Sequence, residues 1–242
     1  MALQTLCITD TETTGVDRDK DEVLEVGYVL WSVEHRCIIE VFSGLLKAEA
    51  NPAEHVNAIP AQLCAETRPV DHDNVWALLA SALESSDAAV AHQADFDRAF
   101  CLRATGDYAE DVCMQVAAKP WICTREDMKW PRNGTGESLI ATALAHGVAV
   151  TSAHRAIHDC LLIARLLEHC FTAYPDMGER LEAAFEHAKL PKVRLVSLAP
   201  FEEKEIVKAN GFKWDQPRRE WWRLMALEDA QALPFRVREV PL

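Results

Sequence analysis

Several common sequence features are missing from this chain, and each absence excludes a class of protein. No apolar run is long enough to span a bilayer, and the first residues lack the basic and apolar regions of a signal peptide. The eight cysteines are scattered without a C-x-x-C pair, which argues against a zinc site or a disulfide framework. Internal repeats and low-complexity tracts are also absent. We therefore expect a globular, cytoplasmic protein with reduced cysteines and no membrane partner.

An excess of positive charge is lacking as well. The formal net charge is −13, which at first argues against a nucleic-acid partner, since phosphates bind cations. The charge is uneven, however: residues 191–242 contain ten Lys+Arg and eight Asp+Glu, so this segment carries +2 and the remainder −15. An acidic protein is still able to act on a polyanion when divalent ions neutralise its site. A nucleic-acid substrate therefore stays open.

The hydrophobic pattern predicts an α/β fold. Strands are predicted over residues 3–9, 22–33, 36–46, 88–91 and 119–123, and helices over residues 71–85, 96–104, 137–146, 156–171 and 177–188. The two-residue joint at 34–35 predicts an antiparallel hairpin. Three early strands followed by alternating helices and strands predict a mixed five-stranded sheet with helices on both faces.

A break at residues 189–192 divides the predicted domains, 1–190 and 191–242. In the second, a helix follows Pro200, and a hairpin rich in tryptophan and arginine comes next. Trp214, Trp221 and Trp222, interleaved with cations, would suit the stacking of unpaired bases. They would equally suit the core of a miniature domain, and we favour that interpretation.

The first chemical motif is T-D-T-E-T-T-G-V at residues 9–16, directly after an apolar run. Asp10 and Glu12 are two residues apart at a strand end, so they share a face and are able to hold one hard cation. Thr13, Thr14 and Gly15 then form a turn whose backbone N–H groups could approach a ligand. An acid pair also caps turns, so this motif alone leaves both interpretations open.

Two further motifs place polar residues at predicted helix starts. Asp97 follows a short strand in H-Q-A-D-F-D, at the strand end where ligands collect in α/β sheets. His154 and Asp159 belong to H-R-A-I-H-D, and their separation suits an imidazole in the incoming loop and an acid in the first helical turns. Taken singly, each motif is also explained by helix capping or by the helix dipole.

Together, D-x-E-T-T-G, H-x-x-x-F-D and H-R-A-x-x-D, in this order, closely resemble the DEDDh family of 3′→5′ exonucleases. That family includes proofreading subunits of bacterial replicative polymerases and related ribonucleases, and the resemblance covers roughly residues 3–171. It implies a ribonuclease H-like fold. It also implies that the metal ligands are Asp10, Glu12, Asp97 and Asp159, with His154 as the general base.

The resemblance further implies which residues contact the substrate. Thr13, Thr14 and Gly15 would lie beside the terminal nucleotide. His55 and Ile59, in a looser match to the family's V-H-G-I segment, would pack on its sugar and base. The substrate would be the 3′ end of a single-stranded nucleic acid, released as nucleoside 5′-monophosphates. The sequence does not distinguish deoxyribose from ribose, and we lean toward DNA; no pattern identifies a polymerase or other replication partner.

Two Mg²⁺ or Mn²⁺ ions suit this set of residues, because carboxylates select hard cations. Two ions about 3.5–4 Å apart stabilise the attacking and leaving oxygens of a phosphodiester. His154, with an ordinary pKa near ~6.5, suits a proton acceptor. His158 is the alternative base, although it also fits a solvated helix residue, and we favour His154 for its spacing to Asp159. Two departures, Gln93 in place of the usual Asn and the additional Asp95, leave the positioning at this motif open.

Two other functions remain as alternatives. The D-T-E-T segment is similar to the D-x-D-x-T strand end of haloacid dehalogenase-like phosphatases, in which Asp10 would be a nucleophile. That interpretation leaves His154 and Asp159 without a role. A non-catalytic module that binds nucleic acid or a polymerase is the other alternative, but such a module would be expected to have lost some of the acids.

Overall fold

The computed structural model describes residues 3–67, 69–106, 110–151 and 154–241, which form two compact units, Met1–Ala188 and Lys189–Leu242. Within these ranges, no helix has both the length and the apolar character to cross a bilayer. All eight cysteines are free and six of them are buried, as expected of small core residues. The predicted α/β class is confirmed.

The first unit is built on a mixed five-stranded sheet. Its strands are β1 (Thr5–Thr13), β2 (Val23–Ser32), β3 (Cys37–Leu45), β4 (Ala88–Ala91) and β5 (Trp121–Cys123), in the order β3-β2-β1-β4-β5. The β1–β2 and β2–β3 pairs are antiparallel, whereas β1–β4 and β4–β5 are parallel. The carboxyl ends of β1 and β4 therefore lie at the same edge of the sheet.

Helices cover both faces of this sheet. They are α1 (Glu54–Asn57), α2 (Ala61–Glu66), α3 (Pro69–Glu84), α4 (Ala94–Gly106), α5 (Glu110–Ala118), α6 (Leu139–Ala145), α7 (Ala156–Ala173) and α8 (Met177–Ala188). Because side chains alternate along a strand, β2 contributes Val29 and Trp31 to the core beneath α7, and Val26 and Tyr28 to the core beneath α3. All ten residues of β2 are buried in consequence.

The predicted elements of this unit are present, with shifts at their ends. Strand β1 continues to Thr13, four residues beyond its predicted end, so both acids of the first motif lie within the strand. Helices α1, α2 and α5 were not predicted. They have four, six and nine residues, and helices this short depend on tertiary contacts more than on their own periodicity.

The second unit is a four-stranded antiparallel sheet with one helix. Its elements are β6 (Lys192–Ser197), α9 (Lys204–Ala209), β7 (Lys213–Asp215), β8 (Glu220–Ala226) and β9 (Val237–Val240), and the strand order is β7-β8-β6-β9. The predicted helix and β7–β8 hairpin are present. Strands β6 and β9 were missed, because they have only six and four residues and β9, V-R-E-V, has no alternating pattern. Its core contains Leu195, Val207, Phe212 and Met225.

Candidate active site

Three carboxylates meet near the carboxyl end of β1. One oxygen from each of Asp10, Glu12 and Asp159 lies within 4.8 Å of the others, and all three residues are partly exposed. Asp10 and Glu12 reach the same face because they are two residues apart on the strand, as the sequence predicts. Asp159 comes from the first turn of α7, which packs against that face.

Gly27 allows α7 to begin this close to the sheet. It lies opposite Asp10 in the β1–β2 pairing. A Cβ atom at Gly27 would lie 2.7 Å from the backbone nitrogen of Ile157 and 2.8 Å from the carbonyl carbon of Ala156. Such distances are too short for non-bonded atoms, so any larger residue would displace the helix start. Glycine at this position therefore helps to place Asp159 beside Asp10.

A buried ion pair fixes the segment that precedes α7. The Glu25 side chain is fully buried and lies on β2 next to Glu12 in the pairing with β1. Arg155 donates to both Glu25 oxygens, with Nε–Oε2 and Nη2–Oε1 distances of 2.8 Å each. Ser43 Oγ donates to Oε1 at 2.6 Å, and the backbone N–H of Ala156 donates to Oε2 at 3.2 Å. All four hydrogen bonds therefore end on one carboxylate.

This arrangement keeps Glu25 ionised. Burial alone raises the pKa of a carboxyl group, but the hydrogen bonds from Arg155, Ser43 and Ala156 outweigh it, and the pKa of Glu25 lies below its usual value. The sequence motifs indicate no role for Glu25 or for Arg155. An acid within the apolar run V-L-E-V-G-Y was the available signal, because a buried glutamate needs a partner.

His154 lies in the bend before α7, as predicted, and Arg155 occupies the N-cap position without a capping hydrogen bond from its side chain. The His154 side chain is exposed, and its backbone has a φ of 62°, in the left-handed region that non-glycine residues seldom adopt. His158 lies within the helix beside Asp159. Its Nδ1 is buried and has no hydrogen-bond partner in the described part of the chain, so His158 is not the fully solvated residue considered from sequence.

The histidines also influence Asp159. Burial raises the pKa of Asp159, and the nearby His154 side chain, the His154 backbone amide and His158 offset only part of this rise. His154 is thus near enough to Asp159 to lower the pKa of that carboxyl group.

Asp97 is set apart from the three-carboxylate group. Among the described residues, the group with ligand atoms within 4.8 Å of one another does not include it. Asp97 is 2% exposed, and its Oδ1 accepts hydrogen bonds from the backbone N–H of Thr11 at 3.0 Å and from the Thr11 hydroxyl at 2.8 Å. It is nevertheless near enough to Asp10 to be the strongest charged contributor to the raised pKa of that residue.

The electrostatics of the cluster suit a divalent cation. Burial, and then the charges of Asp97, Asp159 and Glu12, raise the pKa of Asp10 well above its usual value. Burial and the charge of Asp159 likewise raise the pKa of Glu12 to about 8. Carboxylates that repel one another in a partly buried site gain stability from a cation between them. Their oxygen atoms match the preference of Mg²⁺ or Mn²⁺.

The residues predicted to contact the nucleotide differ in accessibility. Thr13 and Thr14 are each 8% exposed, and the Thr14 hydroxyl accepts a hydrogen bond from the backbone N–H of Glu22 at 2.9 Å. A Cβ atom at Gly15 would meet the carboxylate of Asp21, so a larger residue there would require the Asp21 side chain to move.

The two predicted nucleotide contacts in and after helix α1, His55 and Ile59, differ in their exposure to solvent. His55 is exposed, with its Nδ1 3.2 Å from the carbonyl oxygen of Pro52. Ile59 is 1% exposed and packs with Leu24, Ala48 and Cys64. The Ile59 side chain is therefore closed off from a nucleotide in this structure, because it completes a small core that holds the segment in place.

Comparison with known proteins agrees with this geometry. The sequence profile of the RNase_T exonuclease family matches residues 7–167, two thirds of the chain, and spans every residue of the acid cluster. The chain belongs to this exonuclease family. The resemblance seen in the sequence is confirmed, and the exonuclease interpretation replaces the dehalogenase-like alternative. In the second unit, residues 196–240 match a domain of unknown function, DUF8626.

Similar proteins share a limited part of their sequence with this chain. The 3′-5′ exonuclease DinG of Staphylococcus aureus is 26% identical over 176 residues, which cover 72% of this chain and 19% of that protein. The exonuclease X structure in complex with 5′ overhanging duplex DNA is 21% identical with a TM-score of 0.51, over 74% of this chain and 99% of that one. The zinc-bound E. coli ExoI–ssDNA complex is 16% identical with a TM-score of 0.61, over 82% and 49%. These structures support the fold.

Proposed function

We propose that the chain is a metal-dependent 3′→5′ exonuclease that removes nucleoside 5′-monophosphates from single-stranded nucleic acid, with DNA as the favoured polymer. The observation that carries this proposal is that Asp10 and Glu12 on β1 meet Asp159 in the first turn of α7. His154 lies in the bend before that helix. Similar structures include complexes with single-stranded DNA and with 5′ overhanging duplex DNA. Another similar structure is described as a 3′-exonuclease that recognises a histone mRNA stem-loop, so RNA needs a direct test.

The carboxylates would hold two Mg²⁺ or Mn²⁺ ions, which supply positive charge for the attacking and leaving oxygens of the phosphodiester. Asp10, Glu12 and Asp159 are grouped for this task. Asp97 adds negative charge beside Asp10, and because Thr11 occupies its Oδ1, its Oδ2 is the oxygen left for an ion. His154, exposed at the rim of the cluster, takes the proton from the attacking water.

The substrate end would lie against the turn after β1 and against helix α1. The backbone of Thr13, Thr14 and Gly15 forms one wall in this proposal, and His55 offers an exposed ring for the terminal sugar or base. Ile59 supports this wall from beneath, because it is buried.

The decisive experiment uses matched DNA and RNA oligomers, labelled at the 5′ end, in Mg²⁺, Mn²⁺ or EDTA. We expect a ladder of products shortened from the 3′ end with either metal, faster with DNA, and no products in EDTA. Asp10→Ala and Asp159→Ala should abolish hydrolysis in folded protein. Normal hydrolysis by either variant in saturating Mg²⁺ would contradict the assignment of the metal ligands.

The general base is tested by a matched pair of variants. His154→Ala should reduce kcat about 10²-fold at neutral pH, whereas His158→Ala should retain most of it. The reverse order of effects would identify His158 as the base. Full turnover by both variants would mean that neither His154 nor His158 is required as the general base.

A further inference from the structure

The second unit presents an exposed tryptophan that its own core does not cover. Trp214 lies on β7, at one edge of the four-stranded sheet, and is 41% exposed. It faces Trp221 across the β7–β8 pair, with ring centroids 5.4 Å apart and planes inclined at 57°. Trp221 packs on the core of the unit, so it anchors Trp214 from one side only.

Trp214 is also held in orientation by a hydrogen bond. Its indole Nε1 donates to Gln216 Oε1 at 2.8 Å. A ring fixed by one neighbouring ring and one hydrogen bond loses little conformational freedom when a ligand stacks on it. The exposed face of the Trp214 ring is therefore preorganised for stacking with a planar group.

The acids of the hairpin, Asp215 and Glu220, lie on the opposite face of the β7–β8 pair from Trp214, because successive side chains of a strand alternate between faces. Arg194, which is 6% exposed, binds Asp215 and Glu220 at 2.9 Å each, and its guanidinium lies 4.9 Å from the ring centre of Trp222. Asp215 and Glu220 are the two acids between residues 213 and 227. Arg194 offsets one of these two negative charges, and Arg238 Nη2 lies 3.9 Å from the second Glu220 oxygen, Oε2.

The turn of the hairpin is left with unneutralised cations. Arg218 and Arg219 are exposed, and within the described part of the chain neither side chain forms a hydrogen bond or an ion pair. Arg219 has a φ of 53°, a conformation that glycine or asparagine adopts more easily. Arginine carries a conformational cost at this position, so we take its guanidinium as a candidate for binding a ligand.

From these contacts we propose that Trp214, Arg218 and Arg219 form a second binding site for single-stranded nucleic acid. A base stacks on Trp214, and the two guanidiniums bind the neighbouring phosphates. The charge of the chain agrees, since residues 191–242 carry +2 in a protein of −13. The choice of polymer rests on the exonuclease proposed above, but binding at this site requires neither metal nor hydrolysis.

The test measures binding of the whole chain to labelled oligothymidine and oligouridine by fluorescence anisotropy in EDTA. Trp214→Ala should weaken binding at least about 5-fold, because one stacked base is lost. Trp214→Phe should retain most of the affinity. The double variant Arg218→Gln and Arg219→Gln should lower the dependence of log K on log salt by about 1.4, which is the value for two phosphate contacts of a single strand.

Matched controls come from the same unit. Phe201 is 68% exposed, and Arg236 lies beside β9 at the opposite edge of the sheet. Phe201→Ala and Arg236→Gln should leave both the affinity and the salt dependence unchanged. Thermal unfolding of each variant reports whether the unit stays folded.

Several results would overturn this proposal. They are no binding by the unmodified protein, unchanged binding by Trp214→Ala, equal losses in the control variants, or a loss in Trp214→Phe as large as in Trp214→Ala. Equal competition by polyglutamate would also overturn it, since a peptide has no bases to stack.

Hydrolysis of a small thymidine 5′-monophosphate aryl ester separates this site from the active site. We expect Trp214→Ala to hydrolyse the ester at the normal rate. If the unmodified protein hydrolyses neither ester nor oligomer, the proposed activity fails while the binding result still stands.

Discussion

The Glu25–Arg155 ion pair gives the sharpest test of how the fold positions the proposed base. Replacing Glu25 by glutamine keeps the size of the side chain but exchanges one acceptor oxygen for an amide donor. Arg155 donates to both oxygens of Glu25. In either orientation of the new amide, one N–H group of Arg155 therefore faces another donor. The bidentate contact cannot survive this exchange.

The cost in stability follows from burial and exposure. A hydrogen bond to a charged group contributes roughly 1.5–3 kcal/mol. The Arg155 side chain is 37% exposed, so water replaces part of what the variant loses. We expect the free energy of unfolding to fall by about 2 kcal/mol, which lowers Tm by about 4–8 °C for a chain of this length.

The effect on turnover follows from the backbone before α7. Arg155 is adjacent to His154, whose left-handed conformation costs about 1–2 kcal/mol and needs surrounding contacts to persist. Once Arg155 is released, His154 is free to relax away from the cluster. A displacement of about 1 Å reduces turnover as much as 10²-fold, so we expect kcat to fall 10- to 100-fold with little change in KM.

The assay compares kcat, KM and Tm for Glu25→Gln, Arg155→Ala and the double variant. If the pair acts as one unit, the double variant should be no slower than either single variant. Glu40→Gln is the matched control, because Glu40 accepts a 2.6 Å hydrogen bond from Tyr28 on the neighbouring strand but is exposed. Normal kcat in a folded Glu25→Gln variant would refute the reasoning.

Two further predictions concern the same site. Gly27→Ala should destabilise the protein by about 1–3 kcal/mol and lower kcat, because its Cβ would meet the start of α7. Gly106→Ala, whose Cβ would meet no atom within 4 Å, should be neutral or stabilising, and equal losses in both would contradict a steric cause. Burial, and then the charge of Asp159, raise the pKa of Glu12 from 4.5 to about 8. The metal-free folded state then retains a proton that the unfolded chain releases, so its stability should fall as pH rises from 4.5 through about 8. Mg²⁺ should accordingly raise Tm more at pH 8 than at pH 6, and an equal rise at both would count against coupled carboxylates.

The sequence alone determined the fold class, the family and most of the residues in the site. Asp10 and Glu12 share a face because strand side chains repeat every two residues, and this holds wherever the strand lies. His154 and Asp159 likewise follow from the sequence, because a helix start fixes their separation within a single segment. The order of the motifs then identified the family.

Only the tertiary structure decided how these residues meet. Gly27, Glu25 and Arg155 act through a close approach between β2 and α7, segments about 130 residues apart in the chain. Their contacts depend on the packing of a helix on a sheet, which no local pattern encodes. Tertiary packing likewise decides that Thr11 donates hydrogen bonds to Asp97 and that Ile59 is buried. In the second unit, the sequence supplied three tryptophans, and the sheet decided that Trp221 packs on the core while Trp214 stays exposed.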